Sequence, residues 1–114
     1  MLEQCHQALQ LLPLVGGQLL GEPGLRVAVL GRSAAELERV ANEIGGLAVV
    51  ADVTDPAAVV ESVRAVEAGL GPVDVLVNNA GIAESAPLER TTDEVWSRTM
   101  AVNVTAPFAL SRAV

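Results

Sequence analysis

From Leu25 onward the chain alternates short β-branched runs with longer stretches whose apolar residues recur at helical spacing. Residues 25–30, closed by Gly31, and residues 47–51 predict two strands. Residues 73–77 predict a third, nearly continuous in apolar and β-branched residues, as expected of a strand covered by helices on both faces. Between the first two, Leu37, Val40, Ala41 and Ile44 predict a helix over 34–44, opened by Ser33-Ala34-Ala35-Glu36 in capping-box form and stopped by Gly45-Gly46. Asp55 caps a second helix with Pro56 in its first turn and Val59, Val63 and Val66 as its inner stripe, closed by Gly69 and Gly71-Pro72. Thr91-Thr92-Asp93-Glu94 offers another capping box. It opens a helix that carries Trp96, Met100, Asn103 and Leu110 on one face and that Pro107 bends or divides.

The order β-α-β-α-β-α with right-handed crossovers gives an α/β fold class: a partial Rossmann-like, doubly wound parallel sheet of three clear strands with alternating helices. Residues 1–24 do not share that regularity. Residues 7–12 read as helical, but Pro13, Gly16-Gly17, Gly21 and Pro23-Gly24 interrupt anything longer. The chain therefore divides into an irregular or helical segment, 1–24, and a nucleotide-fold domain, 25–114.

Composition narrows the function. With 114 residues there is room for one domain, and 51% hydrophobic against 2% aromatic residues makes its core Val, Leu and Ala. A net charge of -7 argues against nucleic acid and anionic lipid as partners, and no apolar run reaches the roughly 20 residues that span a bilayer. A cytoplasmic location is the expectation, since Glu3 stands where a signal peptide would be basic. The single Cys5 and the adjacent, only histidine, His6, cannot form a metal-ligand set, so no metal is expected. All seven basic residues are Arg; the chain has neither Lys nor Tyr.

Ligands of parallel α/β sheets bind beyond the carboxyl ends of the strands, which singles out three places. Arg32 follows the first strand, where a carboxylate would accept a ribose 2′-hydroxyl and a guanidinium instead suits a 2′-phosphate; a solvated Arg before a helix is the plain alternative. Asp52-Val53 follows the second, placed for an adenine amino group and ring face, although Asp is also common in such turns. Asn78-Asn79-Ala80-Gly81 follows the third, where amides fix loops and small residues admit a flat ligand close to the backbone.

The run from Asp74 to Ile82, containing Asn78-Asn79-Ala80-Gly81, resembles the motif that ends the fourth strand of the short-chain dehydrogenase/reductase family. Trp96 with the run from Met100 to Phe108 is similar to that family's next helix, and Asp52-Val53-Thr54-Asp55 to its adenine-side turn. The resemblance, to the classical type, extends from about Leu25 to Val114. It implies that Arg32 selects NADP over NAD, that Asp52 and Val53 contact adenine, and that Asn79, Ala80 and Gly81 line the cofactor near its riboses. It also implies that Asn103 is the catalytic helix asparagine of the family's Asn-Ser-Tyr-Lys tetrad, holding a water of the proton relay. A buried core or helix-bending Asn is the plain alternative.

Two family parts are not found. The glycine-rich phosphate turn has only Leu14-Val15-Gly16-Gly17-Gln18-Leu19-Leu20-Gly21 as a counterpart, without the family's spacing. The catalytic Ser, Tyr and Lys would lie past Val114, and a chain without Tyr and Lys has no substitute for them. The expectation is a fragment of an NADP-dependent oxidoreductase, inactive by itself, whose full-length relatives move hydride between NADP(H) and a small-molecule carbonyl or hydroxyl substrate. The alternative is a non-catalytic nucleotide-binding or protein-interaction module that keeps the adenosine half-site or pairs through its last helix. A homo-oligomer is compatible with either.

Overall fold

A computed structural model describes residues 9–12 and 26–114. Four strands form one sheet in the order β3-β2-β1-β4: β1 is Leu9–Leu12, β2 Ala28–Gly31, β3 Leu47–Val50 and β4 Val75–Val77. Helix α1 (Ala34–Ile44) joins β2 to β3 and α2 (Pro56–Leu70) joins β3 to β4; α3 (Asp93–Met100), a π-helical turn (Ala101–Thr105) and α4 (Ala106–Ala113) follow. β2 and β3 pair in parallel, and β1 pairs antiparallel with both β2 and β4, so the three strands expected from the sequence run in one direction.

The reading of 7–12 as helical is corrected by β1. Gln10 pairs with Val29 on one side and Val77 on the other, filling the slot between β2 and β4. Two open ladders outweigh the helix-forming composition of Leu-Gln-Leu-Leu, because strand preference is set by the neighbouring strands more than by the residue. The facing edges of β2 and β4 are thereby covered, at the level of the backbone.

One core cluster lies between the sheet and α2 and α4, built from Leu30, Val53, Val59, Val63, Val66, Ala106 and Leu110; a second, Val27, Val29, Leu37 and Ala41, lies under α1. The stripe Val59, Val63 and Val66 is buried as its spacing requires. Asp55 accepts from the Ala57 amide with Pro56 behind it. Two capping expectations shift. The Ser33 hydroxyl makes no cap bond, and the third helix starts one residue later than expected, with Thr92 accepting from the Val95 amide at 3.2 Å.

The face expected to carry Trp96, Met100, Asn103 and Leu110 is split. Pro107 has no N–H for the Asn103 carbonyl four residues back and its ring crowds that carbonyl. The helix widens there, and the Ala106 amide bonds to the Ala101 carbonyl five residues back. The extra residue in the wide turn sets everything beyond it back by about 100°. Leu110 turns into the core, and Phe108 turns onto the outer face with Trp96.

Candidate functional site

The carboxyl ends of β2 and β3 are in register, Gly31 opposite Val50, and the Ala51 amide extends the ladder to the Gly31 carbonyl at 2.8 Å. Arg32 and Asp52 therefore leave the sheet side by side, both exposed. The Asp52 carboxylate accepts from the Thr54 hydroxyl at 2.7 Å and from the Thr54 amide at 2.9 Å, a local turn closed by its own side chain. Those two bonds, the hydroxyl's first, hold the Asp52 carboxyl below the ordinary carboxylate value; slight burial opposes them and the nearby Arg32 charge assists. Val53 is buried in the α2 core cluster and pins the turn that presents Asp52.

Beyond β4 the chain turns tightly, the Asn79 amide reaching the Val77 carbonyl at 3.1 Å. Asn79 is exposed, Ala80 packs partly against the core and Gly81 is half-buried. The next residue is clasped. Asn103 accepts from the Ile82 amide and donates to the Ile82 carbonyl, both at 2.8 Å, so its side-chain amide pairs with the backbone as a neighbouring strand would. Arg98 adds an ion pair to Glu84. Asn103 itself is exposed, which sets aside the alternative of a buried core Asn, and its side chain is satisfied. Gly81 is required neither by backbone conformation nor by this contact, since a methyl there would meet Asn103 Oδ1 at an ordinary 3.6 Å.

The structure thus groups the candidates into two sets on one sheet edge: Arg32, Asp52 and Val53 beyond β2 and β3, and Asn79, Ala80, Gly81 and Asn103 beyond β4. β1 separates them. Because β1 runs antiparallel, it begins at this edge and ends at the opposite one, where β2 also starts. Gly16, Gly17 and Gly21, with Cys5 and His6, lie outside the described residues. Among the described residues, the edge offers a cation and a carboxylate suited to a phosphorylated adenosine ribose and a small-residue wall, but no helix N-terminus between β2 and β4 to cradle a pyrophosphate. Sequence reasoning missed Thr54 and Ile82. The hydroxyl two residues after Asp52 was the available signal for the first; the second is a backbone contact with none.

Strands β2, β3 and β4 running one way, joined by helices, with polar residues gathered past their carboxyl ends, define a Rossmann-like α/β protein. Residues 17–114 match the short chain dehydrogenase family, and the chain belongs to it. Over 92 residues it is 48% identical to the inactive 2-(S)-hydroxypropyl-CoM dehydrogenase 2 of Xanthobacter autotrophicus, covering 79% of this chain and 40% of that protein. Over 100 residues it is 41% identical to the gluconate 5-dehydrogenase of Gluconobacter oxydans, covering 83% and 39%. The chain thus spans about two fifths of these relatives' length. Among solved structures it resembles a gluconate 5-dehydrogenase of Burkholderia cenocepacia in complex with NADP and tartrate, at TM-score 0.70 and 30% identity over 76% of this chain and 36% of that one. No described helix is long and apolar enough to cross a membrane.

Proposed function

We propose that this chain supplies the cofactor side of an NADP-dependent oxidoreductase that moves hydride between NADP(H) and a carbonyl or hydroxyl substrate. The observation that carries the reading is Arg32 at the carboxyl end of β2, beside a carboxylate held ionised by Thr54. A guanidinium there favours a ribose 2′-phosphate by charge and by its forked donors. The NADP complex of the Burkholderia structure supports the same choice for a similar sheet.

Asp52, on the turn pinned by Val53, would meet the adenine amino group, and Asn79, Ala80 and Gly81 would wall the cofactor toward its second ribose. When bound, NADP(H) supplies the hydride. Asn103 holds the wall in place through Ile82, and its own carbonyl, for which Pro107 supplies no donor, would hold a water of a proton relay. The 114 residues contain no Tyr or Lys to donate the proton, so this polypeptide alone is expected to bind without turnover.

Calorimetric titration with NADPH, NADH and 2′-phospho-ADP-ribose tests this reading. The expected result is NADPH bound about tenfold or more tighter than NADH, with Arg32→Glu abolishing the preference. No heat from any of the three sinks the cofactor assignment. Oxidation of NADPH by the purified chain above a heat-killed control, with a panel of ketones and aldehydes, sinks the claim that it is inactive alone.

A further inference from the structure

Two opposite charges leave the sheet side by side and do not pair. Arg32 and Asp52 follow the paired ends of β2 and β3, and neighbouring strands lie about 4.8 Å apart, within reach of an Arg side chain. Arg32 is near enough that its charge helps to hold the Asp52 carboxyl low. A guanidinium and a carboxylate at this spacing are able to close into a pair joined by two parallel hydrogen bonds. Among the described residues, however, the ion pairs are Arg39 with Glu43, Arg64 with Glu61 and Arg98 with Glu84.

Thr54 accounts for the separation. Its amide and its hydroxyl both donate to one oxygen of Asp52, Oδ1, at 2.9 and 2.7 Å. Among the described residues no donor reaches the other oxygen, Oδ2. The turn that aims these donors is itself held at three points. The Asp55 amide donates to the Asp52 carbonyl at 3.1 Å, Asp55 caps α2 through the Ala57 amide at 3.0 Å, and Val53 is buried in the core. Any residue but proline would offer the backbone amide at position 54; the hydroxyl is what this side chain adds.

We propose that Thr54 is a positioning residue for cofactor selection: its hydroxyl turns the Asp52 carboxylate away from Arg32, so that the guanidinium stays open to a ribose 2′-phosphate and Oδ2 stays open to a purine 6-amino group. On the cofactor reading above, on which this rests, Arg32 and Asp52 meet those two groups; neither selects well unless the two are kept apart. Without the hydroxyl one bond rather than two holds the carboxylate, and its closure onto Arg32 neutralises both recognition elements at once. An exposed ion pair shifts an equilibrium by no more than about fivefold, which bounds the effect.

The test is calorimetric titration of the whole chain with NADPH, NADH and the 6-oxo, hypoxanthine analogue of NADPH. The parent is compared with Thr54→Val, Thr54→Ser, Asp52→Asn and the double variant Thr54→Val/Asp52→Asn. Thr54 and Asp52 are exposed, and far-UV circular dichroism verifies that each variant is folded. In Thr54→Val the NADPH-to-NADH and the amino-to-oxo affinity ratios should both fall about threefold, whereas a turn merely loosened weakens all three ligands alike and leaves the ratios unmoved. Thr54→Ser keeps the hydroxyl and should keep the parent ratios. With Asp52→Asn in place no charge is left to close onto Arg32, so adding Thr54→Val should leave the NADPH-to-NADH ratio where Asp52→Asn set it. Unmoved ratios in Thr54→Val overturn the proposal while the cofactor reading stands. So does an equal fall in Thr54→Ser, or the same fall with and without the Asp52 carboxylate. No heat from NADPH in the parent overturns both.

Discussion

At the scale of single residues, Asp52 shows how a short turn sets a charge. Its folded-state pKa lies below the ordinary carboxylate value, about 3.9, so its contribution to stability is complete above that value and is lost as pH falls through the folded pKa. Thr54→Val removes the hydroxyl bond, the largest cause, and should raise the Asp52 pKa; Arg32→Gln should raise it less, since the guanidinium is the weakest of the lowering causes. Carboxyl-carbon NMR titration of the two variants reads this directly, and an unchanged Asp52 in Thr54→Val would contradict the assignment. Asp52 and Arg32 were both legible, because strand ends in a parallel sheet are where polar residues gather. The bond to Thr54 was not, since a hydroxyl two positions on has several local partners open to it.

Among elements, α1 is the one whose two ends differ most in legibility. Its span was readable to the residue from Leu37, Ala41 and the Gly45-Gly46 stop, but the Ser33 cap bond was not realised. At the other end Gly45 adopts φ 66°, and the Gly46 amide closes the last turn on the Ala41 carbonyl at 2.8 Å. A methyl at Gly45 touches nothing within 4 Å, so the penalty of Gly45→Ala is purely conformational, about 1–2 kcal/mol. Urea unfolding should report that loss, with Gly45→Asn costing less; equal stability of all three would remove the left-handed stop from the account. The π-helical turn is the opposite case. Pro107 announced an interruption, but whether it would bend, end or widen the helix depends on the Asn103 carbonyl, on Ile82 and on what the core accepts. The face containing Trp96 and Leu110 was misread for that reason.

For the molecule as a whole, three strands and their crossovers were legible because a parallel sheet writes its pattern locally, strand then helix then strand. β1 was not, because its partners lie on either side of it in space and far along the chain, and four residues of mixed propensity carry no sign of them. Leu11 pairs with Ala28 on one side and Leu76 on the other. Leu11→Pro removes a ladder donor at the centre of the sheet, leaving a buried acceptor unmatched at about 1–3 kcal/mol and straining its neighbours. A lowered urea midpoint is the expected outcome; a variant as stable as the parent would mean that β1 is dispensable to the sheet.

The central place of β1 also fixes the order in which the chain can be completed during synthesis. Among the described strands β1 is made before β2, and β2 and α1 can join it early, but the other flank waits until Val75–Val77 has been made. Until then a nascent chain holds one unpaired central edge, the species most exposed to aggregation, and the closing step spans most of the polypeptide, which makes it slow. The strand that joins the two halves of the sheet is therefore also the last to be sealed.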